Sequence, residues 1–188
     1  MIGLSRIARW TALGLWGAGT LILLLFYFTD ALLFAILGVV LVWAGGVTSV
    51  ALLAFLARAY YKLPHMRRSV LVSAVLLCLN IPISLGYFYV GGLLLNTARI
   101  TLHNPYPEPV AHLLISGCDK AEVSTLPPGA SATVWLRIPN DCALQLSYVR
   151  QGRVHSEPLS GYLTPGMGGQ RAHTLGQAPD HTHVLQPY

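Results

Sequence analysis

The sequence is poor in charged side chains. Asp, Glu, Lys and Arg make up 10% of its 188 residues, whereas about 25% is usual in soluble domains. Acidic residues are the scarcest, because Asp30 is the only one before Glu108. The first 98 residues carry six basic side chains, so they hold the whole net charge of +5. The second half is neutral, which excludes the basic soluble surface that nucleic-acid binding requires.

Catalytic motifs are also absent from the sequence. It contains no G-x-S-x-G, no H-E-x-x-H and no phosphate-binding glycine loop, the patterns that mark common hydrolases, zinc proteases and nucleotide-binding enzymes. His103, His112 and His155 lie in predicted strands, and no identifiable nucleophile accompanies them. The sequence therefore predicts a protein that is not an enzyme and that needs no cofactor.

Three long uncharged stretches dominate the first half, at residues 10–29, 31–57 and 69–95. A helix rises 1.5 Å per residue, so roughly 20 apolar residues cross a hydrocarbon core of about 30 Å. The stretches are apolar all round, whereas buried helices of soluble proteins are amphipathic. They predict three transmembrane helices. The first stretch is longer than a signal-peptide core and ends without a small-x-small cleavage site, so we expect it to be retained.

The basic residues of the first half flank these stretches. They are Arg6, Arg9, Arg58, Lys62, Arg67 and Arg68. The positive-inside rule places the N-terminus and the loop 58–68 in the cytoplasm, and three spans then export the second half. We expect a bacterial inner membrane with the C-terminal domain in the periplasm. The same six side chains are predicted to contact lipid head groups.

The third span contains two exceptional residues, Asn80 and Pro82. Pro82 removes a backbone hydrogen bond and is expected to kink the helix, and Asn80 is expected to satisfy the carbonyl group left unpaired. The alternative is that Asn80 bonds to a partner helix. No Asp, Glu, Lys, Arg or His lies inside a span, which disfavours a pump or a proton-coupled transporter.

Short alternating runs replace the long apolar stretches after about residue 98. The predicted strands are 99–103, 110–116, 121–126, 133–138, 143–150 and 153–157. Proline and glycine clusters between them predict turns. This pattern favours a small all-β domain over residues 98–169, an Ig-like β-sandwich or an open barrel. The fold class is thus a membrane α region, residues 1–97, followed by an exported β-domain.

The chain has three cysteines. Cys118 and Cys142 lie at the edges of predicted strands, and an exported domain of about 70 residues is marginal without a covalent staple. We therefore predict a disulfide between them, worth on the order of 3 kcal/mol in the chain-entropy model. Cys78 falls within the third span and is expected to behave as a small apolar residue.

Residues 170–188 are low in apolar content and rich in Gly, Gln, Pro and His. This composition predicts a flexible tail. His181 and His183 are weak candidates for binding Cu²⁺ or Zn²⁺, because imidazole suits both ions but ordering a flexible tail costs entropy.

These features favour a non-enzymatic accessory subunit of a membrane complex. Its spans would hold the β-domain beside the lipid bilayer, where strand edges or loops contact a membrane or periplasmic protein. The alternative is an oligomeric membrane transport or lipid-handling component, with a homo-oligomer that builds a path between its subunits.

Overall fold

Three long helices and then seven strands make up the described chain. The structure is a computed structural model, and it describes residues 2–62, 64 and 67–177. Two compact units divide it, Met1–Gly91 and Gly92–Tyr188. Each unit is described by itself below.

The helices are α1 Ile2–Thr29, α2 Leu32–Lys62 and α3 Arg67–Leu95. All three are long and apolar enough to cross a membrane. The segment 58–68, predicted as a loop, is mostly helical, since α2 continues to Lys62 and α3 begins at Arg67. Arg and Lys are good helix formers, and a basic side chain in the last turn interacts favourably with the negative end of the helix dipole.

The first and third helices run parallel to each other. Ser5 bonds to Ser69 near one end, and Trp16 bonds to Asn80 further along. Both pairs are 64 residues apart in sequence, so equal steps along the two helices keep them in register. The second helix runs in the opposite direction, after a two-residue turn that separates Thr29 from Leu32.

Small side chains allow the helices of the first unit to approach closely. Ala8 and Ala12 of α1 are fully buried, in a cluster with Leu56 of α2 and Leu77 of α3. The outer surfaces of the helices are different in character. Trp10, Phe28, Trp43, Phe55 and Phe88 are each between 61% and 73% exposed.

Seven strands follow the third helix. They are β1 Thr97–His103, β2 Val110–Ser116, β3 Ala121–Leu126, β4 Ser131–Arg137, β5 Cys142–Arg150, β6 Arg153–Leu163 and β7 Gly169–Thr174. The predicted second and third strands coincide with the observed ones. The sixth was predicted as 153–157 and extends instead through Pro158 to Leu163. Pro158 lies in an edge strand, where a missing N–H costs no ladder hydrogen bond.

The strands form two sheets, with orders β4-β1-β7 and β3-β2-β5-β6. One core lies between them, because Leu102 and Leu136 of the first sheet and Leu113 and Leu146 of the second are all fully buried. The first strand pairs with the fourth and the seventh. In a constant-type immunoglobulin domain it lies beside the second, so the strand order here is different.

The seventh strand corrects the predicted start of the flexible tail. Residues 169–174 pair in parallel with β1, and Leu175 beyond them is 1% exposed. The sequence did not reveal this strand because it alternates no large apolar side chains. Its order comes from the pairing with β1 and from a hydrogen bond to β6 through His173. Residues 178–188 lie outside the described part of the chain.

The last turn of α3 belongs to the second unit. Gly168 donates its backbone N–H to the Leu95 carbonyl at 2.7 Å, and Ile138 donates to the Asn96 carbonyl at 2.9 Å. Gly166 donates its N–H to Asn96 Oδ1 at 3.0 Å. The loop before β7 therefore caps the carbonyl groups that the helix end leaves unpaired.

Candidate functional site

The six basic residues of the helical unit lie at one end of it. Arg6 and Arg9 are in the first turns of α1, and Arg67 and Arg68 open α3, which runs parallel to α1. The other two, Arg58 and Lys62, end the antiparallel α2. Arg67 also lies over the Tyr60 ring at 5.1 Å, a favourable cation–π contact.

A polar cluster joins the three helices near the middle of α3. The indole N–H of Trp16 donates to Asn80 Oδ1, and Asn80 Nδ2 donates to Ser49 Oγ at 3.0 Å. Asn80 is 7% exposed and Ser49 is 6% exposed. Asn80 thus bonds to two neighbouring helices of its own chain. These contacts favour the alternative in which Asn80 bonds to a neighbouring helix, and its service to the carbonyl freed by Pro82 stays a prediction.

Pro82 lies inside α3, which continues on both sides of it. The kink predicted at this position stays a prediction. Further along, the Tyr87 hydroxyl donates to the Trp16 carbonyl at 3.0 Å and its ring packs against Gly19. The polar atoms of this region therefore bond to one another across helix contacts.

Cys118 and Cys142 form a disulfide, as predicted. It joins the turn after β2 to the first residue of β5, across 24 residues of sequence. The third cysteine, Cys78, is free and exposed on α3. The disulfide closes the end of the sheet at which β2 and β5 lie side by side.

A partly buried carboxylate connects the last strand, β7, to β6. Glu157 of β6 accepts from His173 Nε2 at 2.9 Å and from the Gly176 backbone N–H at 3.0 Å. The side chains of His173 and Glu157 are 7% and 15% exposed. The sequence assigned His173 to the tail and Glu157 to a strand end, and no pattern relates the two. A buried pair that is already bonded is typical of a structural contact.

Two tyrosines extend this cluster into the core. Tyr148 bonds to Tyr106, and the pKa of Tyr148 is raised well above its ordinary value. Burial is the main cause, followed by the bond to Tyr106 and the nearby charge of Glu157. The guanidinium of Arg150 lies over the Tyr106 ring at 3.9 Å. The cluster resists ionisation of Tyr148, so this hydroxyl is a poor general base.

The histidines singled out in the sequence do not converge. His103 bonds to Ser131 on the three-stranded sheet, whereas His112 pairs with Glu122 and His155 stacks on Tyr148 in the other sheet. In the part of the chain that the structure describes, three or more His, Cys, Asp or Glu side chains nowhere gather as a metal site. His181 and His183 lie outside the described residues.

The outer face of the four-stranded sheet carries no charge along β5 and β6, whereas at its β3 edge Glu122 lies opposite Leu114 and pairs with His112. Side chains of β5 and β6 that alternate with the buried ones form facing pairs across it, namely Ala143 with Tyr162, Gln145 with Pro158, Ser147 with Ser156 and Val149 with Val154. On β2 the same face presents Ala111, Leu114 and Ser116. We call these eleven side chains the uncharged face.

Several members of the uncharged face are apolar and open to solvent. Val154 is 75% exposed, Tyr162 is 68% exposed and Leu114 is 40% exposed. Tyr162 also donates its hydroxyl to Asp141 at 2.5 Å, which raises its pKa. The surface combines an aromatic side chain and aliphatic side chains with small Ser and Ala residues. Exposed aromatic residues and a lack of charge are features of the centre of protein interfaces.

The outer face of the three-stranded sheet differs from the uncharged face. Thr101 bonds to Thr133 across β1 and β4 at 2.9 Å. Arg99 lies over the Trp135 ring at 5.6 Å, and Arg137 is exposed two residues later. This outer face carries charge, and its side chains bond to one another. It therefore serves as the control surface for the uncharged face.

Comparison of the chain with protein-family models, with curated proteins and with solved structures finds no match.

Proposed function

We propose that this protein is a non-enzymatic membrane subunit that presents the uncharged face of its β-domain to a protein partner. The observation that carries the proposal is the composition of that face. On β5 and β6 all eight outward side chains are uncharged, and Ala143, Val149, Val154 and Pro158 among them are apolar, whereas the solvated face of an antiparallel sheet is usually polar. Charge is depleted in the centre of protein interfaces because desolvating it is costly.

The helical unit supports a location in a membrane. In a membrane, lipid would cover its exposed aromatic and aliphatic side chains. In water, exposing the same apolar surface would cost much free energy. The basic residues lie together at one end, which the positive-inside rule assigns to the cytoplasm. With three spans, the β-domain would lie on the other side, and the compartment proposed for it is the periplasm of a bacterium. An oxidising compartment there suits the disulfide.

The β6 edge of the four-stranded sheet is less suited to binding than the uncharged face. The edge strand β6 contains Pro158, which blocks pairing with an added strand. The contact is therefore expected through side chains, with Tyr162 and Leu114 as anchors, and not by strand addition. The proposed partner is a different membrane-associated protein with a complementary apolar patch.

Site-specific photocrosslinking in the native membrane tests this proposal. A photoreactive amino acid at Ser147 or Ser156 is expected to give one discrete crosslinked product of higher mass. The matched control is the same amino acid at Thr133, on the outer face of the other sheet, which is expected to give none. Mass spectrometry of the product identifies the partner.

Three outcomes would contradict the proposal. Crosslinks only between copies of this chain would indicate a homo-oligomer instead. Equal products from Thr133 and from Ser147 would show that the contact is unspecific. The absence of any product at both positions of the uncharged face would leave that face without a partner in the membrane.

A further inference from the structure

A hollow lies between the first turns of α1 and α3. Its volume is about 390 Å³, and its lining residues are Ser5, Arg6, Arg9, Trp10, Leu13 and Ser69. The lining thus comprises two arginines, two serines, a tryptophan and a leucine. This composition suits a ligand with an anionic group beside an apolar chain.

The positive charge of the hollow has no acidic residue near it in the sequence of the helical unit. Asp30 is the only acidic residue of the first 107. It follows Arg9 by 21 residues of sequence, which along α1 is about 32 Å. A charge interaction over that distance is screened in water at physiological ionic strength. The two arginines therefore attract an anion from outside this unit.

The guanidinium of Arg9 is held in place for such an anion. Its Nε donates to Ser73 Oγ at 3.2 Å, and its Nη2 donates to Ser69 Oγ at 3.0 Å. Ser73 is fully buried, so the anchor is rigid. Among the described residues Nη1 has no hydrogen-bond partner, and Arg6 has neither a hydrogen bond nor an ion pair. A guanidinium that is already ordered loses little rotamer entropy when it binds a phosphate.

The lining residues are arranged in layers along α1. Arg6, Trp10 and Leu13 follow at helical spacing on one face, with the charge nearest the helix start. Trp10 is 69% exposed and Leu13 is 45% exposed. Tryptophan prefers the level of the lipid head groups, and leucine prefers the hydrocarbon below it. The layers therefore match those of a phospholipid.

We propose that this hollow binds one anionic phospholipid, with the phosphodiester at Arg6 and Arg9 and an acyl chain along Trp10 and Leu13. The proposal rests on the membrane location given under the proposed function. It is independent of the uncharged face and its protein partner. Both helix starts at this end add positive dipole charge to that of the arginines.

Native mass spectrometry of the full-length protein in mild detergent tests the proposal. The detergent contains equal amounts of phosphatidylglycerol and phosphatidylcholine with the same acyl chains. The wild-type protein is expected to retain one phosphatidylglycerol in preference to phosphatidylcholine. Arg6→Gln is expected to lower that preference about fivefold, and it removes no hydrogen bond within the described protein.

The matched control is Arg58→Gln, which removes one positive charge at the same end of the helical unit but outside the hollow. It is expected to leave the preference unchanged. Trp10→Ala is expected to weaken retention of both lipids, since it removes the contact to the acyl chain. An Arg6→Gln effect equal to that of Arg58→Gln would overturn the proposal, because general surface charge would then explain the binding.

A free phosphate is the other source of the same chemistry. Glycerol 3-phosphate at millimolar concentration is expected not to displace phosphatidylglycerol, because it lacks the acyl chain. Displacement would overturn the lipid assignment in favour of a soluble phosphate. If the protein were not located in a membrane, the result would be different. It would then retain neither lipid, and it would leave the membrane fraction on alkaline extraction.

Discussion

Gly117 shows how one residue limits the fold of the β-domain. It follows β2 and has a φ of +123°. A Cβ added to Gly117 would lie against the carbonyl oxygen of Ala143. Any Cβ there would collide with the backbone of β5. Gly161, in contrast, has an ordinary φ, and a Cβ added to it would meet nothing within 4 Å.

We expect Gly117→Ala to destabilise the β-domain by about 2 kcal/mol or more, through backbone strain and the collision with Ala143. Gly161→Ala, its matched control, is expected to stay within about 0.5 kcal/mol. Pulse proteolysis of the full-length protein across a urea series in mild detergent measures both. Equal midpoints for the two variants would contradict the prediction.

Tyr148 makes the stability of the β-domain depend on pH at the alkaline end. The raised pKa of the folded state means that the folded protein keeps the proton when the unfolded chain loses it near pH 10.0. Stability is therefore complete below that pH and falls as the pH rises above it. Tyr148→Phe removes the ionisable group, so the fall is expected to be less steep.

Urea midpoints measured between about pH 8 and about pH 11 test this expectation. Tyr162→Phe is the comparison. The bond to Asp141 raises the pKa of this exposed tyrosine, but burial raises that of Tyr148 by much more, so Tyr162→Phe is expected to change the slope less. An unchanged slope in Tyr148→Phe would show that another group governs the alkaline loss.

At the scale of elements, pairwise contacts decide which helices and strands stay together. Asn80 joins α3 to both other helices through Trp16 and Ser49. The sequence marked Asn80 as exceptional but could not identify its partners, since helix rotation and register are set by packing. The same limit applies to β7, whose polar residues become ordered only by contact with β1 and Glu157.

We expect Asn80→Ala to weaken the packing of the helices by about 0.5–2 kcal/mol, because the indole N–H of Trp16 then loses its acceptor. Helical circular dichroism during titration with sodium dodecyl sulfate measures the change. Cys78→Ala is the control, since Cys78 is exposed on the same helix two residues earlier. Equal effects of the two substitutions would contradict a role for the amide.

The disulfide stabilises the β-domain by reducing the conformational entropy of the unfolded chain. It closes a loop of 24 residues, so its removal by the double substitution of Cys118 and Cys142 to Ala is expected to cost on the order of 3 kcal/mol. Urea midpoints with and without reductant measure this cost. Cys78→Ala is expected to leave the urea midpoint of the β-domain unchanged. A reductant-independent midpoint in the wild type would contradict the assignment.

At the scale of the whole molecule, the two units differ in the kind of side chain that they expose to their surroundings. The helical unit satisfies its backbone within helices and exposes apolar side chains. The β-domain buries its apolar side chains between two sheets and exposes polar loops. The first arrangement is stable in lipid and the second in water.

We expect the full-length protein to stay in the membrane pellet after alkaline carbonate extraction. A tag appended to the C-terminus is expected to be digested by protease added to the periplasmic side of intact spheroplasts. A tag at the N-terminus is expected to be protected until the membrane is opened. Digestion of the N-terminal tag in intact spheroplasts would contradict the orientation.

The sequence by itself determined the features that depend on composition and local pattern. Uninterrupted apolar stretches are long enough to cross a membrane in any packing. The alternation of apolar and polar side chains predicted six of the seven strands. The expected oxidising compartment and the positions of the cysteines at strand edges suggested the Cys118–Cys142 pair. Only the tertiary structure decided what depends on contacts between distant segments. Those are the partners of Asn80, the strand β7, the sheet order, the Glu157–His173 pair and the uncharged face, because burial and pairing across the chain are not encoded in any local run of residues.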